Sequence, residues 1–138
     1  MRQHQRSQCS CAFLIALVVS MFFCRSVIDA ADAPAKATNL RHVVAFKFKD
    51  ATATEKIKEV EDAFRALKGK IPEIVAYEWG TNISPEKHDK GFTHGFILTF
   101  KSEKDRDTYL VHPEHKKFGG LVGPVLGDVF VIDFWAKE

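Results

Sequence analysis

Four histidines and a tyrosine carry the residue types from which proton chemistry is built: His42, His94, Tyr109, His112 and His115. His112 and His115 lie one helical turn apart if the segment opened by Pro113 is helical, and proline suits a first helical turn. His115 then sits where the helix dipole disfavours a positive charge, so its imidazole stays neutral and can act as a base. A phenol beside it, Tyr109, would hold a substrate oxygen while His115 takes a proton. Each of the other histidines has a plainer reading. His42 and His94 can be core groups bonded to a carbonyl, His112 can cap the helix that Pro113 begins, and His88 lies in a polar loop. No cysteine or clustered carboxylate accompanies them and no HExxH-like spacing occurs, so no metal is expected. Nor is any other cofactor, because there is neither a phosphate-binding glycine loop nor a nucleophile elbow.

The elements that must position these groups follow from hydrophobic period. His42, Val44, Phe46 and Phe48 alternate with Val43, Ala45, Lys47 and Lys49, the two-residue period of a strand. Thr52 or Thr54 is expected to cap a helix whose stripe is Ile57, Val60, Phe64, Leu67 and Ile71, ended by Gly69 and Pro72. A second strand spans about 74–82, a polar loop 83–91, and a third strand about 92–101 with His94, Phe96, Leu98 and Phe100 on one face. Ser102 caps a short helix to about Val111, and a second helical piece starts at His112-Pro113. Gly119, Gly120, Gly123 and Pro124 are expected to make its later part irregular. Residues 128–135 form the last strand, with Asp133 read as hydrogen-bonded within the fold. The order β-α-β-β-α-β predicts an α+β, ferredoxin-like domain over 40–136, a four-stranded antiparallel sheet with helices on one face. On the bulkier face, assigned to the helices, His42, His94, His112, Tyr109 and His115 converge with Phe46, Phe64 and Phe96. Such a mostly apolar pocket with a few polar groups suits a small apolar or aromatic molecule.

The opposite sheet face is too apolar for water. It offers Val43, Ala45, Gly95 and Ile97, and the last strand is apolar on both faces. A second copy of the chain is the expected cover, closing a homodimeric α/β barrel. The competing reading is a half-wet sheet with scattered exposed apolar residues.

Ahead of the domain, Arg2 and Arg6 precede an apolar run from Ala12 to Cys24 and then small residues about Ala30. This pattern predicts a signal peptide over 1–30, cut after Ala30, with 31–39 as a flexible linker. The protein would then be exported, or held at the membrane through the leader if that stays uncut. All three cysteines (Cys9, Cys11, Cys24) fall in the leader, so the domain must hold together by packing alone. Without the leader, Lys plus Arg drops from 20 to 17 and Asp plus Glu from 18 to 17, leaving a neutral domain. Neutrality without a basic stripe excludes nucleic acid as a partner.

Arg41-His42-Val43-Val44 with Phe46-Lys47-Phe48, Ile71-Pro72, Trp79-Gly80 with Asn82 and Ser84, Gly91-Phe92-Thr93-His94, Tyr109, His112-Pro113-Glu114-His115 and Val131-Ile132-Asp133-Phe134 resemble the stress-responsive A/B barrel (Dabb) family. The resemblance covers residues 40–135 and implies a dimeric α/β barrel linked to stress responses. One plant member closes a polyketide by an aldol reaction without cofactor. Its catalytic pair corresponds to His115 and Tyr109, and its pocket histidines to His42 and His94. Where that enzyme has a pocket tyrosine on the first helix, this chain carries Phe64, one polar contact fewer. Some plant members hold a magnesium ion through backbone groups at the end of the first helix, which the resemblance leaves open here.

Overall fold

The computed structural model describes residues 38–137. The expected leader, and the linker up to residue 37, lie outside the described residues. Within them the elements run β1 (Leu40–Phe48), α1 (Thr54–Lys70), β2 (Ala76–Thr81), β3 (His94–Phe100), α2 (Glu103–Val111), α3 (Pro113–Val122) and, after a single 3-10 turn at Gly123–Val125, β4 (Leu126–Trp135). No described helix is long and apolar enough to cross a membrane.

The four strands form one antiparallel sheet in the order β2-β3-β1-β4. That is the split arrangement expected of a ferredoxin-like fold. Strand alternation decides which side chains meet the helices. In β1, Leu40, His42, Val44 and Phe46 are buried while the intervening Arg41, Val43 and Ala45 are half-buried. In β3 His94, Phe96, Leu98 and Phe100 are buried with the same period of two, and Thr99 on the other face is buried as well, bonded to the Arg41 guanidinium. The α1 stripe supplies Val60, Phe64 and Leu67, and α3 supplies Phe118 and Val122. Phe64 is the hub, its ring stacked on Phe118 with centroids 4.5 Å apart and tilted against Phe96 at 4.6 Å. Truncating a buried phenylalanine of this kind costs about 3–5 kcal/mol.

Local signals place the helices. Ser102 Oγ accepts the Asp105 amide at 3.1 Å, as its position before α2 predicts. At α1 the cap differs from expectation. The N-cap is Ala53, with no side-chain hydrogen bond, because Thr52 spends its hydroxyl on the Lys49 carbonyl at 2.7 Å to close the preceding turn. The glycines of α3 do not disrupt it either. The helix runs through Gly119 and Gly120, and irregularity is confined to the 3-10 turn at 123–125. Tertiary packing through Phe118 and Val122 outweighs a propensity cost of about 1 kcal/mol per glycine.

The sheet face turned away from the helices carries Val43, Ala45, Ile97, Phe130, Ile132 and Phe134, set by the pairings Val43↔Ile97, Val43↔Ile132 and Ala45↔Phe130. In the single chain Phe130 is 49% exposed, and Ile132 and Phe134 are each 46% exposed.

Candidate functional site

A cavity of about 240 Å³ opens between the β1–β4 side of the sheet and helices α2 and α3. Its walls are apolar: Val44, Phe46, Phe64, Leu110, Phe118, Val122, Leu126, Val129 and Val131, with Gly119 completing the α3 side. Its polar groups are His42, Tyr109 and His115. Three separate elements deliver them. His42 comes from β1, Tyr109 from the last turn of α2, and His115 from the first turn of α3, which the His112-Pro113 junction starts immediately after α2.

Tyr109 is the centre of this trio. It is 1% exposed, its ring centroid 4.2 Å from His115 and 5.7 Å from His42. Burial pushes its phenol well above the ordinary value of 10.0, with Tyr77 adding to the same direction. It therefore stays protonated and donates. Burial lowers His115 below the ordinary 6.5, reinforced by nearby His42 and His112, while the Leu110 carbonyl pulls the other way. His115 Nδ1 donates to that carbonyl at 3.1 Å, so in the neutral ring Nε2 carries the lone pair. A neutral base thus sits beside a protonated phenol. Desolvation is the first cause of that neutrality.

His42 is fixed from behind. Its Nδ1 donates to Asp133 Oδ1 at 2.6 Å, and the other carboxylate oxygen, Oδ2, accepts from the Arg106 guanidinium. Asp133 faces His42 directly in the β1–β4 register. Neither Asp133 nor Arg106 was singled out for the site from sequence. An aspartate in the apolar run 128–135 was the available signal, but only the register shows which histidine it meets.

Three of the expected pocket residues lie elsewhere. His112 is the N-cap of α3, its Nδ1 accepting the Glu114 amide at 3.1 Å. That bond occupies the ring's acceptor, so the capping role prevails. His94 accepts from Thr93 Oγ1 at 2.8 Å and donates from Nε2 to Glu61 Oε1 at 3.1 Å, a pairing with α1 that turns it away from His42. Phe96 packs in the core against Phe46, Phe64 and Trp79. Along with Trp79 and Phe92, His94 and Phe96 border a hollow of about 530 Å³ at the β2–β3 end of the sheet. That hollow is larger, but Val43, Ala45 and Ile97 also line it, which puts it on the face expected to meet a second copy. The smaller cavity is the one with clustered proton donors and acceptors. Among the described residues, no three His, Cys, Asp or Glu side chains are gathered to hold a metal ion.

Comparison with known proteins adds the following. The family model described as Stress responsive A/B Barrel Domain matches residues 40–136. The Stress-response A/B barrel domain-containing protein HS1 of Arabidopsis thaliana is 35% identical over 95 residues, covering 69% of this chain and 87% of that protein. Olivetolic acid cyclase of Cannabis sativa is 25% identical over 99 residues, 72% of this chain and 98% of the enzyme. Among solved structures, the hydroxynitrile lyase from Passiflora edulis superposes with a TM-score of 0.70 at 25% identity, over 74% of this chain and 96% of that one. A Bacteroides fragilis protein described as dimeric with a ferredoxin-like fold gives a TM-score of 0.59 at 25% identity, over 71% and 96% of the two chains.

Proposed function

Since the chain belongs to the stress-responsive A/B barrel family, we propose that it is a homodimeric binding module whose cavity between sheet and helices holds one small apolar or aromatic molecule. The observation that carries this reading is the cavity itself, apolar on nearly every side with His42, Tyr109 and His115 as its polar groups. Its volume, about 240 Å³, sets the ligand's size. An apolar cavity of roughly 150 Å³ accommodates benzene, so a substituted single ring fits here and a nucleotide-sized cofactor does not. The homodimer draws support from the half-exposed Phe130, Ile132 and Phe134 on the outer sheet face, and from the dimeric ferredoxin-like relative. Calorimetric titration with benzaldehyde tests the cavity. One molecule should bind per chain, and Gly119→Leu, which fills the space from α3, should abolish binding. Binding that is absent in the unaltered chain, or untouched by that substitution, contradicts the reading.

A second reading is favoured by one local geometry. His115 Nε2 is free of its backbone bond and lies beside a phenol that stays protonated. That pair suits cofactor-free proton abstraction next to a carbonyl, with His115 as general base and Tyr109 as oxygen donor. Relatives named as a cyclase and a lyase support it. The partial reaction is simple to follow. A C–H bond beside the carbonyl breaks, the proton moves to His115 Nε2 while the enolate oxygen accepts from Tyr109, and His115 exchanges that proton with solvent before delivering one back to the carbon. In D₂O, acetophenone should exchange its methyl protons faster with the protein than with buffer, and His115→Ala should remove the difference. Equal exchange with and without protein rejects the enzyme reading and leaves the binding reading standing.

The export reading rests on residues 1–30 alone. Secreted or periplasmic protein beginning at Ala31, by mass, would support it, and the unprocessed mass in the cytoplasm would overturn it.

A further inference from the structure

Asp133 has two charged or polar neighbours and answers both. Oδ1 takes the proton of His42 Nδ1, and Oδ2 takes the Arg106 guanidinium. Arg106 projects from α2 and Asp133 from β4, so the contact ties a helix to the edge strand behind the cavity. A carboxylate only accepts, which assigns the shared proton to Nδ1. Arg106 also donates from Nε to Asp107 Oδ1 at 2.7 Å, so its guanidinium is held between two carboxylates, and the contact through Asp133 orients the His42 ring. Second groups of this kind commonly fix which imidazole nitrogen is protonated. In the neutral ring that leaves Nε2 as the hydrogen-bond acceptor. His115 ends in the same state by a different route, its Nδ1 committed to the Leu110 carbonyl.

We infer that Arg106 and Asp133 are positioning residues that lock His42 as an acceptor, so that the cavity selects neutral ring compounds carrying a hydroxyl donor. The inference rests on the cavity reading above and adds the ligand's chemistry to it. Two fixed acceptors flank one donor, Tyr109, whose ring lies within 5.7 Å of both imidazoles. A hydroxyl satisfies that arrangement by donating to an imidazole and accepting from the phenol. A pure hydrocarbon leaves those groups unpaired inside apolar walls, and an anionic carboxylate brings only further lone pairs to two lone pairs.

The probes p-cresol and p-xylene differ by a hydroxyl in place of a methyl at nearly constant shape. With the full chain, p-cresol should bind at least about tenfold more tightly than p-xylene, the equivalent of one satisfied hydrogen bond, and 4-methylbenzoate should bind most weakly. Imidazole ¹⁵N spectra of the histidine-labelled chain should show His42 as the Nδ1–H tautomer with Nε2 unprotonated. Asp133→Asn and Arg106→Met should each change that signature and bring the cresol-to-xylene ratio within about twofold, while Arg106→Lys restores part of it. The spectra and the probe pair need no variant, so a variant that fails to fold does not shield the inference. Equal affinity for cresol and xylene, or an Nε2–H signature in the unaltered chain, overturns the inference and leaves the cavity reading intact. Binding of neither probe overturns both.

Discussion

Tyr77 shows what burial demands of a single polar atom. Its hydroxyl is buried with no hydrogen-bond partner among the described residues, and desolvation drives the phenol well above its ordinary 10.0. Because an unpaired buried donor costs about 1–3 kcal/mol and removing it loses no bond, Tyr77→Phe is expected to raise stability by about 1 kcal/mol in urea unfolding. His115 makes a prediction in pH. Its folded value lies below 6.5, chiefly through burial. The unfolded chain therefore takes up its proton first as pH falls, and stability present above pH 6.5 erodes below it. Glu114 acts lower on the scale. Hydrogen bonds from Lys117 and then Lys70 hold it at about 2 against an ordinary 4.5, so its contribution is present above 4.5 and is lost as pH falls toward 2. Unfolding measured across pH should show a shallower loss as pH falls below 6.5 in His115→Gln, and a shallower loss below 4.5 in Glu114→Gln. At this scale Tyr109 and His115 were legible from residue type and spacing. Asp133 was legible as a hydrogen-bonded group but not its partners, and Arg106 and Glu61 were not legible at all, because the contacts span 27 to 91 residues and only strand register and helix docking bring them into reach.

At the scale of elements, period carried most of the information. Alternation in β1 and β3 sorted the buried residues from the outer ones, and the three- and four-residue steps of α1 gave Val60, Phe64 and Leu67 to the core. Capping was less legible. Thr52 and Thr54 offer the same hydroxyl on paper, yet the N-cap falls on Ala53 between them, with Thr52 bonded back to the Lys49 carbonyl in a contact that sequence does not reveal. For His112 two roles competed, and the geometry of the α2–α3 junction decided for the cap. The α3 glycines were over-read as breakers because packing on Phe46 and Phe64 holds that helix. Gly119 borders the cavity, and a Cβ added there meets nothing within 4 Å. Gly119→Ala should therefore raise stability by about 1 kcal/mol through helix propensity, read as a higher melting temperature, while slightly weakening benzaldehyde binding. No change in melting temperature would mean that α3 is frayed at that point.

For the whole molecule, β4 links the two proposed activities. Val129, Val131 and Asp133 point to the cavity side, Phe130, Ile132 and Phe134 to the outer face, so one edge strand is both pocket wall and prospective interface. Ile132→Asp should turn a dimer into a monomer in sedimentation equilibrium while leaving the helix side folded; an unaltered chain that sediments as a monomer removes the barrel. The claim on which the account turns is nonetheless the cavity. An NMR titration of the ¹⁵N-labelled full chain with p-cresol reports on every amide at once. The account predicts saturable shifts centred on His42, Tyr109, Leu110, His115 and Gly119, and shifts absent there or gathered on the outer face around Ala45 and Ile97 would contradict it.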